Sequence, residues 1–114
     1  MTPTLTIRKL PGLHVVRAGG AVLGESRAVL ELSEGSRAPV LYFPRTDIAM
    51  AFLDTSERST HCPHKGDASY FSIVTKSTTL RDAAWSYETP LEAVARLAGH
   101  IAFEPRDDVT VEAL

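Results

Sequence analysis

The chain has little of what would fix its class at a glance. It holds one cysteine, Cys62, in 114 residues. An intrachain disulfide is therefore excluded, and a reducing compartment fits. No apolar run approaches the roughly 20 residues that a membrane-spanning helix needs. The first ten residues carry their basic side chains late, at Arg8 and Lys9, and lack an apolar stretch of secretory length. The expected location is cytoplasmic, with no membrane partner. Charge of one sign is missing too: the net charge is −2 and the basic residues are scattered, so no nucleic acid is expected as a partner. There is no dinucleotide-binding fingerprint, and no cofactor is expected.

What is present reads as one domain of many short strands. The hydrophobic share of 44% and charged share of 23% are those of an ordinary globular chain. At this size about two-thirds of the unfolded surface can be buried. Strands are expected at 4–9, 14–17, 21–23, 27–32 and 40–43, with breaks at Pro11-Gly12, Gly19-Gly20 and the loop Ser33–Pro39. Pro44 and Asp47 predict one or two helical turns, with Ile48, Ala49, Met50 and Phe52 as their apolar face. Asp54–Glu57 reads as a turn. Further strands are expected at 58–62, 67–75 and 80–87. Thr89-Pro90-Leu91-Glu92 has the form of a capping box opening a second short helix, stopped by Gly99. Strands at 100–104 and 109–111 close the chain. The fold class is therefore mainly β: a compact antiparallel sheet domain with two short helices.

The densest chemistry lies in His61-Cys62-Pro63-His64-Lys65-Gly66-Asp67-Ala68-Ser69-Tyr70. Cys62, with Arg58, His61, His64 and Lys65 nearby in sequence, is either a reactive thiol or a small buried hydrophobe. His64 can transfer a proton near neutral pH or bond locally in the turn. Lys65 can clamp a carboxylate or phosphate as a point charge, or sit in solvent. His61, Cys62, His64 and His100 have zinc-ligand chemistry. However, one cysteine cannot build paired Cys-x-x-Cys sites, and His61 and Cys62 point to opposite faces of a strand, so no metal is expected. Trp85 and Tyr87 share a strand face, and Tyr70 adjoins them as pocket wall or as core. His100 can close such a pocket or satisfy a backbone carbonyl. Asp47 reads first as a helix-start residue and second as a partner for Lys65 or Arg58. No second carboxylate, Glu31 included, can be placed opposite it.

Five stretches in order carry a family resemblance. They are Tyr42-Phe43-Pro44 with Asp47, Cys62-Pro63-His64-Lys65-Gly66, Tyr70-Phe71, Ala84-Trp85-Ser86-Tyr87 with Pro90, and Gly99-His100-Ile101-Ala102-Phe103. Across about Ala18 to Phe103 the chain resembles the domain of unknown function 427 family, sometimes labelled a nucleotidyltransferase-type domain. The resemblance implies a β-rich, tent-like sheet and attaches no firm reaction. The label finds no support in the residues, since no Gly-Ser dipeptide precedes paired aspartates. The side chains of the adjacent Asp107 and Asp108 diverge on a strand. Relatives often carry two copies of the domain, and a single copy can imitate them as a homodimer.

These readings converge on a pocket for a small anionic ligand around the Cys-Pro-His-Lys-Gly turn. His64, Lys65 and Cys62 are the catalytic candidates. Arg58, Tyr70, Trp85, Tyr87, His100 and Asp47 are the binding candidates. A non-catalytic protein-interaction module is the alternative, and nucleotidyl transfer a weaker one.

Overall fold

The computed structural model describes residues 4–114. It is mainly β, as the alternation predicts. Among the described residues ten strands form in chain order: β1 Leu5–Lys9, β2 His14–Ala18, β3 Ala21–Ser26, β4 Leu30–Glu34, β5 Val40–Pro44, β6 Leu53–Cys62, β7 Gly66–Val74, β8 Thr79–Ser86, β9 His100–Phe103 and β10 Val109–Ala113. Seven make one antiparallel sheet in the order β1-β4-β5-β9-β8-β7-β6, and the other three make a small sheet, β10-β2-β3. No described helix is long and apolar enough to cross a membrane.

The period-two side-chain alternation gives the large sheet two different faces. One packs against the small sheet through Val16, Leu23, Phe43, Phe71, Ile73 and Ile101, all buried. On the other face Leu30, Leu32, Tyr42, Tyr87 and Ala102 are buried under Val94 and Leu97. Register ties this second face into a single row, because Leu30 pairs with Tyr42, Tyr42 with Ala102, Ala102 with Trp85 and Trp85 with Tyr70.

Three expectations need correction. Residues 54–57 are not a turn between elements but part of the ten-residue β6. Their turn-forming composition expresses itself as a bulge: Thr55 pairs with Phe71 and Ser59 with Ser69, leaving three residues of β6 opposite one of β7. The strand expected at 27–32, β4, begins at Leu30 rather than Arg27 and runs through Ser33 and Glu34, which had read as loop. The reason is pairing on both sides, since β4 is held by β1 from Leu5–Glu34 onward and by β5. The capping box does not form. The segment Glu92–Leu97 is a kinked 3₁₀ run with Leu91 at its cap position and no side-chain cap bond. The Leu91 amide donates instead to the Lys65 carbonyl at 2.9 Å, a tertiary bond that fixes the entry of the segment before Thr89 can cap it. Gly99 does follow it in the left-handed region, φ 74°.

The helical turn after Pro44 is also 3₁₀ and comes in two pieces, Arg45–Asp47 and Met50–Phe52. Among the described residues both expected helical segments are thus 3₁₀, the first of them in two short runs. The first piece lies directly on β3, with an isolated bridge between Gly24 and Ile48. A Cβ at Gly24 would collide with the Asp47 carbonyl, so glycine is what permits this approach.

Candidate functional site

The site lies on the tyrosine-bearing face of the large sheet. The β6 bulge carries Arg58 over the Tyr70 ring, its guanidinium carbon 4.5 Å from the centroid, a cation–π arrangement. Ser56 Oγ holds the bulge by accepting from the Arg58 amide at 3.1 Å. Tyr70 is oriented from its other end by a 3.1 Å bond between its hydroxyl and Thr60 Oγ1. Beside it Trp85 Nε1 donates to the Tyr42 hydroxyl at 3.2 Å.

Lys65 enters from the β6–β7 turn. Its amide donates to the Cys62 carbonyl at 3.2 Å and its carbonyl accepts from Leu91, so the backbone is fixed on both sides. Gly66 closes the turn at φ +111°, a value that L residues rarely adopt. The side chain then reaches across to the end of β4, where Nζ donates to Glu34 Oε1 at 2.8 Å. The two side chains are only 12% and 10% exposed. The Lys65 bond holds the Glu34 carboxyl below its usual range, against the opposing effect of burial. Lys65 Nζ also lies 5.9 Å from the centre of the Tyr87 ring. Burial pushes the Tyr42 phenol up to about 12 and raises that of Tyr87 as well.

Together these side chains enclose a cavity of about 260 Å³ lined by Val40, Tyr42, Arg58, Lys65, Tyr70, Trp85, Tyr87 and Glu104. Five of the sequence candidates, Arg58, Lys65, Tyr70, Trp85 and Tyr87, thus meet at one place. The other four do not line it. Cys62, half-buried, precedes the turn as a free thiol. His64, also half-buried, is close enough to Glu34 to favour its charged form. His100 donates from Nδ1 to the Ala98 carbonyl at 2.9 Å, the backbone role rather than the closing one. Asp47 is on the opposite side of the sheet, where it accepts from Ser26 Oγ at 2.6 Å, not from Lys65 or Arg58. His61 pairs with Asp67 at 2.7 Å in solvent. Among the described residues no three His, Cys, Asp or Glu side chains converge as a metal site.

Two residues of the site escaped the sequence reading. Glu34 had fallen into a loop, although extending the Leu30, Leu32 alternation by one step places it on the same buried face. Tyr42 was noted only as part of a matched stretch, and the same alternation sets it apart from the dry-facing Phe43.

The row from Tyr42 through Trp85 to Tyr70 spans strands that the matched stretches supply. A family model described as a domain of unknown function (DUF427) matches residues 6–113. No curated protein matches the chain. With nearly its whole length covered by that model, the chain belongs to the DUF427 family.

Proposed function

We propose that the protein binds a small anionic ligand in the cavity between Arg58 and Lys65. The observation that carries this reading is the convergence of two cations on an aromatic floor. A cavity whose lining is more polar than apolar, and which sets charged groups beside aromatic rings, suits a small anionic molecule. Arg58 supplies the anion contact. Among the described residues it has no carboxylate partner, whereas the charge of Lys65 is already engaged by Glu34. As the ammonium of that pair Lys65 has no lone pair for attack on a carbonyl, which favours a binding role over a nucleophilic one. Its enclosed position against the cavity favours ligand binding over the interaction-module reading. Nucleotidyl transfer draws no support from the lining, where Glu104 is the one carboxylate among the described residues.

The test is a thermal-shift screen against small carboxylates, phosphates and nucleotides with magnesium, run on the protein and on Arg58→Ala. A ligand at a hundred times its dissociation constant stabilises by about 2.7 kcal/mol, roughly 10 °C at this size. A shift of that order with an anionic compound, lost in Arg58→Ala, supports the reading. No shift with any anion removes it.

A further inference from the structure

The first cavity has a neighbour beyond Trp85. The ladder between β5 and β9 stops at Tyr42–Ala102. Leu41 and Phe103, the next facing residues, are unpaired with each other, while Phe103 stays paired to Ala84 on β8. The large sheet therefore splits at this end, with β9 following β8 and β5 following β4. A second, mainly apolar cavity of about 210 Å³ lies at the split, with Leu41, Phe103, Pro105, Val109 and Val111 among its walls. Val40 and Trp85 line both spaces. On the strands the two linings also alternate, Val40 then Leu41, and Phe103 then Glu104 then Pro105. The second cavity, the groove at the split, thus lies beside the charged, aromatic one and at the edge of the dry core, where Val109 is buried and Val111 is exposed.

Resting on the ligand-binding reading above, we infer that the ligand is an amphiphile: a monocarboxylate whose head meets Arg58 and whose aliphatic or aryl tail crosses Trp85 into the groove at the β5–β9 split. The charged residues all line the first cavity, Arg58 and Lys65 with Glu104 as the one carboxylate beside them. The groove has no charged residue in its lining and includes two prolines, Pro39 and Pro105, which lack amide donors. A compact hydrophilic anion would leave that apolar space unfilled. A tail fills it and gains burial in proportion to its length.

Trp85 is the chain's only tryptophan and stands at the junction, so its fluorescence reports occupancy. The experiment titrates straight-chain carboxylates from butanoate to decanoate, below their micelle concentrations, with calorimetry in parallel and 1-octanol as the uncharged control. Each buried methylene is worth about fourfold in affinity. Octanoate is expected to bind at least about tenfold tighter than butanoate, a margin that leaves part of the chain exposed. Arg58→Ala should weaken octanoate and leave octanol unchanged. Val111→Glu, on the outer strand of the small sheet, should abolish the chain-length gain and spare butanoate. If butanoate binds through Arg58 with no gain on lengthening, the anionic pocket stands and the amphiphile inference falls. If no carboxylate of any length binds, the inference falls, and the phosphates and nucleotides of the thermal-shift screen then decide the pocket separately. A gain that survives Val111→Glu in a protein with unchanged melting puts the tail elsewhere and also overturns it. The unsubstituted protein's series alone decides if a variant fails to fold.

Discussion

The two faces of the seven-stranded sheet are made from the same strands and by opposite rules. Against the small sheet, Phe43, Ile73, Ala84 and Ile101 pack with no polar atom among them, and Phe43 meets Phe103 edge to face with centroids 6.0 Å apart. On the other side their sequence neighbours are Tyr42, Trp85 and Ala102, and the buried side chains end in hydroxyls, an indole nitrogen and an ion pair. One residue along a strand separates an apolar interior from a surface that needs partners. The dry face supplies stability through buried area. The polar-tipped face gives up some of that gain, because each buried polar group must be satisfied, and in exchange it holds charges and aromatic rings at fixed positions.

The largest effect should come from damaging the dry face. Phe43→Ala is expected to cost about 3–5 kcal/mol, a large part of the 5–15 kcal/mol typical of a domain. The check is urea denaturation, with the midpoint falling at constant slope. Ligand affinity of the molecules still folded should not change. If it does, the two faces are coupled and the contrast between them fails.

Next comes the ion pair. Lys65→Met leaves the enclosed Glu34 carboxylate with only the exposed Arg37 guanidinium, 4.0 Å away, which should cost about 3 kcal/mol. The double variant Glu34→Leu with Lys65→Met should recover most of that loss, since paired apolar side chains can replace a buried pair at little cost. Equal destabilisation of the single and double variants in chemical denaturation would show that packing, not charge, is what the pair contributes.

How much of this contrast could be read from the chain depends on which rule operates at each place. Alternation is local, so strand positions and the sharing of a face by Trp85 and Tyr87 were legible. So was the gathering of function near Lys65, because Pro63 and Gly66 punctuate the backbone there. Partners distant in sequence were not legible: nothing near Glu34 points to a lysine 31 residues away. The bulge at Ser56–Arg58 read as a turn because a bulge and a turn use the same residues, and only pairing on β7 tells them apart. The capping box failed for a related reason. Its local pattern was intact, but Leu91, with its amide on the Lys65 carbonyl, is held extended, so the helical run starts at Glu92, too late for Thr89 to cap it.

The faces should also differ in their response to pH. Glu34 has a depressed carboxyl, so its contribution is present above the ordinary carboxylate range and is lost as pH falls through the folded-state value. Tyr42 and Tyr87 have raised phenols. Their neutral forms are favoured by folding, so that stability is full below pH 10 and declines as pH rises towards 12. For Tyr42 the decline amounts to at most about 2–3 kcal/mol. Melting temperature followed from pH 3 to 11 should fall at both ends. Glu34→Leu with Lys65→Met should flatten the acid limb, and Tyr42→Phe the alkaline one. An alkaline limb unchanged in Tyr42→Phe would mean that this phenol is not held neutral by burial.

The smallest effect separates two uses of the same bond. Trp85→Phe removes the indole donor to Tyr42 while leaving an aromatic ring on the floor of the cavity. The hydroxyl of Tyr42 keeps the ability to donate and loses one partner, so the cost to stability should be about 1 kcal/mol. Tyr42→Phe leaves the indole N–H without its acceptor and should cost a similar amount, and the double variant little more than either single one, with a coupling near 1 kcal/mol. If the bond is only structural, ligand affinity will follow stability in all three variants. If it also sets the angle of the Trp85 ring between the two cavities, Trp85→Phe and Tyr42→Phe will both reduce the gain from lengthening a ligand tail, although neither residue touches the far end of the groove at Val111. That second result would make the polar-tipped face a positioning device for the apolar tail of an anionic ligand, which is a use its buried hydroxyls alone do not suggest.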